Sequence, residues 1–107
     1  MSRLVQEYFK NYTYIRFTTE LDDDTYNNLL VIERCVEDCY KKGLISDFEL
    51  SVIQNVCKGY TFSDLAEVIN ADRLRISNTF KNVCSRIAYI LGEEFTDTHL
   101  EEKYYAN

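Results

Sequence analysis

The stretch TFSDLAEVINADRLRISNTFKNVCSRIAYILG, residues 61–92, decides how this chain is read. It opens on a helix-start signal, Thr61 with Asp64 three residues on, and continues through Leu65, Ala66, Val68 and Ile69 as a short helix. Asn70-Ala71 then reads as a tight turn, because asparagine is one of the few residues besides glycine that tolerate the left-handed region. Asp72 caps a longer helix with Ile76, Phe80, Val83, Ile87 and Ile90 on one face, and Gly92 ends it. The same stretch has a charge anomaly. The chain holds 18 acids against 12 bases, yet no carboxylate lies between Asp72 and Glu93, where Arg73, Arg75, Lys81 and Arg86 stand.

Upstream, the punctuation is again that of helix caps. Ser46-Asp47-Phe48-Glu49 is a capping box followed by the apolar series Leu50, Ile53 and Val56/Cys57, and Gly59 closes that helix. Before it, the run Leu21 to Asp24 reads as a loop ending in an N-cap. It leads into a helix from about Thr25 to Lys42 with Leu29, Ile32, Val36 and Cys39 as its buried stripe and Gly43 as its stop. Leu4, Tyr8, Tyr12 and Ile15 form a helical stripe near the start. Tyr12 to Thr19 (YTYIRFTT) is also rich in β-branched and aromatic residues, so a short strand competes with helix there. Downstream, the acidic tail admits two readings, a short helix capped by Thr96 with Leu100 and Tyr104 on one face, or a solvated terminus.

With no proline and only three glycines, little forces a helix to break, and 107 residues with 46% hydrophobic and 28% charged composition suit one domain. The expected fold is all-α. It divides into an N-terminal helical region over 1–43, a helix-turn-helix unit over 44–92 and an acidic tail over 93–107. No apolar run approaches the roughly 20 residues of a membrane span, and the start MSRLVQEYFK lacks the apolar centre of a signal peptide, so the expected address is the cytoplasm with no membrane partner. Cys35 and Cys39 are four apart, but Cys57 and Cys84 are isolated and the one histidine, His99, lies in the tail. That spacing predicts buried packing for the cysteines, with no metal and no disulfide. No nucleophile with a base, no carboxylate–histidine cluster and no phosphate-binding glycine loop is visible, so neither an enzyme nor a cofactor is expected. The nine tyrosines are expected at the rim of a small core, with Tyr8, Tyr12 and Tyr14 also suited to an interface.

The block from Ser46 to Gly92 resembles the helix-turn-helix of sigma-factor region 4 and of LuxR-type regulators. Leu50-Ser51-Val52-Ile53 with Lys58-Gly59 matches the helix that precedes the motif. Thr61, Leu65-Ala66-Glu67, Ile69, Asp72, Ile76, Arg86-Ile87 and Leu91-Gly92 match the motif itself. The resemblance makes Ala66 the small residue packed against the recognition helix, Ile76 its buried partner and Asp72 the cap. Asn70 stands where the family usually has glycine, and Arg75 where it often has threonine. The ending RIAYILGEEF is also similar to small phage late-gene regulators of the ArpU/RinA type.

What the resemblance implies is a sequence-specific transcription regulator that binds double-stranded DNA, and it gives the charge anomaly a cause. A recognition helix lies in the major groove between two rows of phosphates, where a carboxylate is repelled and desolvated. Residues 60–91 carry four bases and three acids, whereas residues 1–59 carry seven and ten. Arg73, Arg75, Ser77 and Asn78 are the expected base contacts, since arginine grips guanine and asparagine adenine in bidentate fashion. Lys58, Thr61, Lys81 and Arg86 are the expected phosphate contacts. A homodimer is expected, because one recognition helix covers few base pairs. RNA polymerase or a sigma factor is a candidate partner for the N-terminal region. The alternative is an adaptor that binds polymerase or a sigma factor without reading bases.

Overall fold

In the computed structural model, which describes residues 2–17 and 23–92, six helices follow one another: α1 (Ser2–Lys10), α2 (Tyr12–Phe17), α3 (Asp23–Lys41), α4 (Asp47–Cys57), α5 (Phe62–Ile69) and α6 (Arg73–Leu91). The all-α class is therefore established. No helix among the described residues is long and apolar enough to cross a membrane.

Three successive helix ends share one device. After α3, the Gly43 N–H donates to the Tyr40 carbonyl at 3.1 Å and the Leu44 N–H to the Cys39 carbonyl at 2.8 Å. After α4, Gly59 donates to Val56 at 2.9 Å and Tyr60 to Asn55 at 3.1 Å. These paired bonds absorb carbonyls that the last turn leaves unsatisfied, and they require a left-handed residue at the pivot. Gly43 and Gly59 supply it at φ +77° and +98°. After α5 the pivot is Asn70, at φ +57° and ψ +50°, with the Ala71 N–H donating to the Ala66 carbonyl at 3.0 Å. The helix starts are equally regular. Ser46 and Glu49 exchange both capping-box bonds at 2.9 and 3.1 Å, Thr61 and Asp64 do the same at 3.3 and 3.1 Å, and Asp72 accepts from the Leu74 N–H at 3.2 Å.

Helix α6 is the central element, packed by α1, α3, α4 and α5. Its inward face is Ile76, Phe80, Val83, Cys84, Ile87 and Ala88. Phe80 is wholly buried, with Phe9 of α1 edge-on at 6.2 Å and Phe62 of α5 tilted at 5.4 Å between ring centroids. Burying a side chain of this size stabilises the fold by about 1.5–3 kcal/mol. Because Leu4, Val5, Tyr8 and Phe9 join the same cluster as Leu29, Ile32, Val52 and Leu65, the first three helices and the last three share one core.

Some expectations need correction. Tyr12–Phe17 is helical, not extended. A strand needs a partner for its backbone groups, and none exists among the described residues, whereas a helix satisfies them internally. The packing confirms the choice: Ile15 is fully buried, the Thr13 hydroxyl donates to the Cys57 carbonyl at 3.1 Å and the Tyr12 hydroxyl to Glu33 at 2.6 Å. The N-terminal stripe holds, with Leu4, Tyr8 and Ile15 buried and Tyr12 packed against the core, but the helix is interrupted at Asn11, whose side-chain amide donates to the Glu7 carbonyl at 2.9 Å. Ile90 is 47% exposed rather than part of the inward face of α6, and Cys84 and Ala88 complete that face instead. Helix α3 begins at Asp23, so Asp23 and Asp24, expected to end the Leu21–Asp24 loop as an N-cap before a helix from about Thr25, are instead its first residues. Leu21 and Asp22, the end of the Tyr12–Thr19 segment, and the Thr96, Leu100 and Tyr104 helix lie outside the described residues.

Candidate nucleic-acid interface

With Ile76, Phe80, Val83, Cys84 and Ile87 turned inward, helical spacing leaves Leu74, Asn78, Lys81, Asn82, Ser85 and Tyr89 on the opposite side of α6, and all six are exposed. This side carries one cation, two amides and a hydroxyl together with the exposed Leu74 and Tyr89, with Arg73 and Arg75 exposed at the start of the helix and no carboxylate from Arg73 to Leu91. Asn78 and Asn82 are four residues apart and so present two amides along one line of the helix. Of the expected base contacts, Arg73, Arg75 and Asn78 are exposed and Ser77 is half-buried at the edge of the packed face. The Arg75 guanidinium stacks over the Phe48 ring of α4 at 4.5 Å. Such a stack contributes about 0.5–1 kcal/mol at an exposed site and fixes the direction of a long side chain while leaving its edge donors available.

The expected phosphate contacts divide. Lys58 caps α4 and Lys81 lies one turn beyond Asn78, both exposed. Thr61 is exposed as well, but its oxygen accepts the Asp64 N–H as the cap of α5. Arg86 departs from its expected role. Its guanidinium donates to the Leu44 carbonyl at 2.7 Å and to both Glu49 oxygens at 3.1 Å, and Glu49 also accepts the Ser46 N–H at 2.9 Å. Arg86 thus ties α6 to the cap of α4, with its donors directed into the protein instead of toward a ligand. That pair holds the Glu49 carboxyl below its ordinary range, with the Arg86 hydrogen bond as the leading cause and burial opposing it.

Two residues escaped the sequence reading. Asn82 belongs to the outer face by its spacing from Asn78 and was legible in the helical periodicity. Lys10 was not, because α1 reaches the start of α5 and α6 only through tertiary packing. Its ammonium sits 5.8 Å from the Phe62 ring and 5.9 Å from the Phe80 ring, beside a cleft also lined by Arg73.

Elsewhere, the cysteines are packing groups. All four are unpaired, and Cys35, Cys39 and Cys84 are buried. Burial pushes the Cys35 thiol up to about 11 and the Cys57 thiol up to about 12, and raises Cys84 as well, which favours the protonated thiol at neutral pH. A second concavity of about 580 Å³ lies between α2, α3 and α4, floored by Phe9, Val36 and Ile53 and rimmed by Glu33 and Glu37. Tyr12, on its wall, is pushed up to about 12 by burial and by its bond to Glu33. No family model, no curated protein and no solved structure matches the chain.

Proposed function

We propose that this chain is a sequence-specific DNA-binding regulator of transcription, with α6 as the helix that enters the major groove. The observation that carries the reading is the outward face of α6: cations and amides in a net-acidic chain, with every carboxylate excluded beyond the cap. Asn78 and Arg75 read bases, Asn82 extends the reading face, Arg73 stands at its N-terminal edge, and Lys81 and Lys58 hold phosphates. The stack of Arg75 on Phe48 supports its role by pre-orienting the guanidinium. Arg86 has no part in the contact set; it positions α6 against α4. The chain acts as a homodimer, because two half-sites compensate for the weak steering of a protein whose net charge is −6.

Selection of bound fragments from a pool of random duplexes tests this reading. Enrichment of a short motif that contains an adenine-dependent position supports it, and recovery of unenriched sequence contradicts it.

A second reading, an adaptor that binds polymerase or a sigma factor without touching bases, is favoured by the groove between α2, α3 and α4. Its apolar floor and its Glu33 and Glu37 rim suit a basic, apolar segment of a partner. Under that reading the selection recovers no motif, while substitutions in the groove abolish partner capture.

A further inference from the structure

We propose that the cleft between the end of α1, the segment 59–63 and the first turn of α6 seats one phosphate of the DNA backbone, with Lys10 closing it. The inference rests on the DNA-binding reading and adds to it a residue from outside the helix-turn-helix. The cleft is about 320 Å³, with Lys10 and Arg73 as its cationic residues, Tyr60, Thr61 and Ser63 as its hydroxyl-bearing ones, and Phe62 also among its lining. No carboxylate lines it. The nearest in sequence, Asp64, is held by the Thr61 N–H at 3.3 Å as part of the α5 cap. Among the described residues neither Lys10 nor Arg73 has an acidic partner. Two cations that face one concavity repel each other until an anion stands between them. A tetrahedral group with several acceptor oxygens can meet both cations and the surrounding hydroxyls together.

The position fits the source of that phosphate. Arg73 opens α6, so a duplex that receives α6 in its major groove carries a phosphate row past this end of the helix. Lys10 lies over the Phe62 and Phe80 rings and is the contribution of an N-terminal half that carries seven bases against ten acids up to residue 59. Lys10 is exposed, so the two rings lie beside its ammonium without enclosing it.

The test uses the full chain and two measurements. In the first, Lys10→Gln is compared with wild type on selected and scrambled duplexes across a salt series. The expected result is a similar loss of affinity on both duplexes and a salt slope shallower by about one unit, with Lys10→Arg restoring it. In the second, inorganic phosphate is titrated into the wild-type protein and followed by amide NMR. Saturable shifts confined to residues 59–63 and Arg73, lost in Lys10→Gln, support the seat. An unchanged salt slope on a duplex that wild type binds overturns the seat and leaves the DNA reading intact. Phosphate shifts at the cleft in a protein that binds no duplex overturn the DNA reading and leave the anion site standing. Absence of saturable shifts at the cleft in wild type overturns the seat, whatever the variants do.

Discussion

Asn70 holds the turn between α5 and α6 in a backbone conformation that glycine occupies at the ends of α3 and α4. A side chain at positive φ costs more than a bare Cα, and asparagine offsets part of that cost by local hydrogen bonding. Asn70→Gly is therefore expected to keep the turn with a stability change within about 0.5 kcal/mol, whereas Asn70→Ala loses about 1 kcal/mol. Urea unfolding of both variants checks the order, and an alanine variant as stable as glycine would show that the pivot is unstrained. Arg86 gives the second residue-scale expectation. Arg86→Ala removes an ion pair that is screened because the arginine side chain is 36% exposed, together with a bond to the Leu44 carbonyl, for a loss of about 1 kcal/mol. Because Arg86 lowers the Glu49 carboxyl in the folded state, the pair's stabilisation is present above the unfolded glutamate value of about 4.3 and fades as pH falls through the lower folded value. The gap between wild type and Arg86→Ala in thermal unfolding is thus wider at pH 7 than below pH 4, and a gap independent of pH would contradict the carboxylate's part in it.

Helix α6 carries the functional expectations at the next scale. Under the proposed function, Asn78→Ala is expected to weaken specific binding by about 1–3 kcal/mol while leaving scrambled duplex unaffected, because it takes away the amide proposed to read adenine. Lys81→Ala, one turn along, is expected to weaken both duplexes alike and flatten the salt slope. Anisotropy titrations on the two duplexes separate these outcomes, and a loss confined to the specific site in Lys81→Ala would refute its phosphate role. Elements with strong local punctuation were legible in the sequence. The boxes at Ser46–Glu49 and Thr61–Asp64, the caps at Asp72 and Gly43 and the left-handed Asn70 all stand where their residue types place them. Elements decided by tertiary contact were not. Tyr12–Phe17 has strand-like composition but finds its partners in Glu33 and Cys57, far away in the chain. Arg86 looks like any other base of α6 until Glu49 and the Leu44 carbonyl are brought beside it. Lys10 carries no local signal of its nearness to Arg73.

One hydrophobic core joins the described helices, and this limits how far residues 44–92 stand alone. Phe9 packs on Phe80 from α1 and Phe62 from α5, so removal of α1–α3 exposes the face of α6 that α1 covers. A fragment of residues 44–92 is expected to lose most of its helical circular dichroism, and Phe80→Ala in the full chain to cost about 3–5 kcal/mol in one cooperative transition. A fragment that folds and binds as the full chain does would show that the N-terminal helices are an appendage. The central claim, that α6 reads DNA, is tested most directly by nuclease footprinting of full-length protein on the genomic region around its own coding sequence. The account predicts protection of a discrete site, with half-sites about 10–10.5 base pairs or a multiple apart, that disappears with Asn78→Ala. No protected site at concentrations where the protein is folded, or a footprint indifferent to Asn78→Ala and Lys81→Ala, would contradict it.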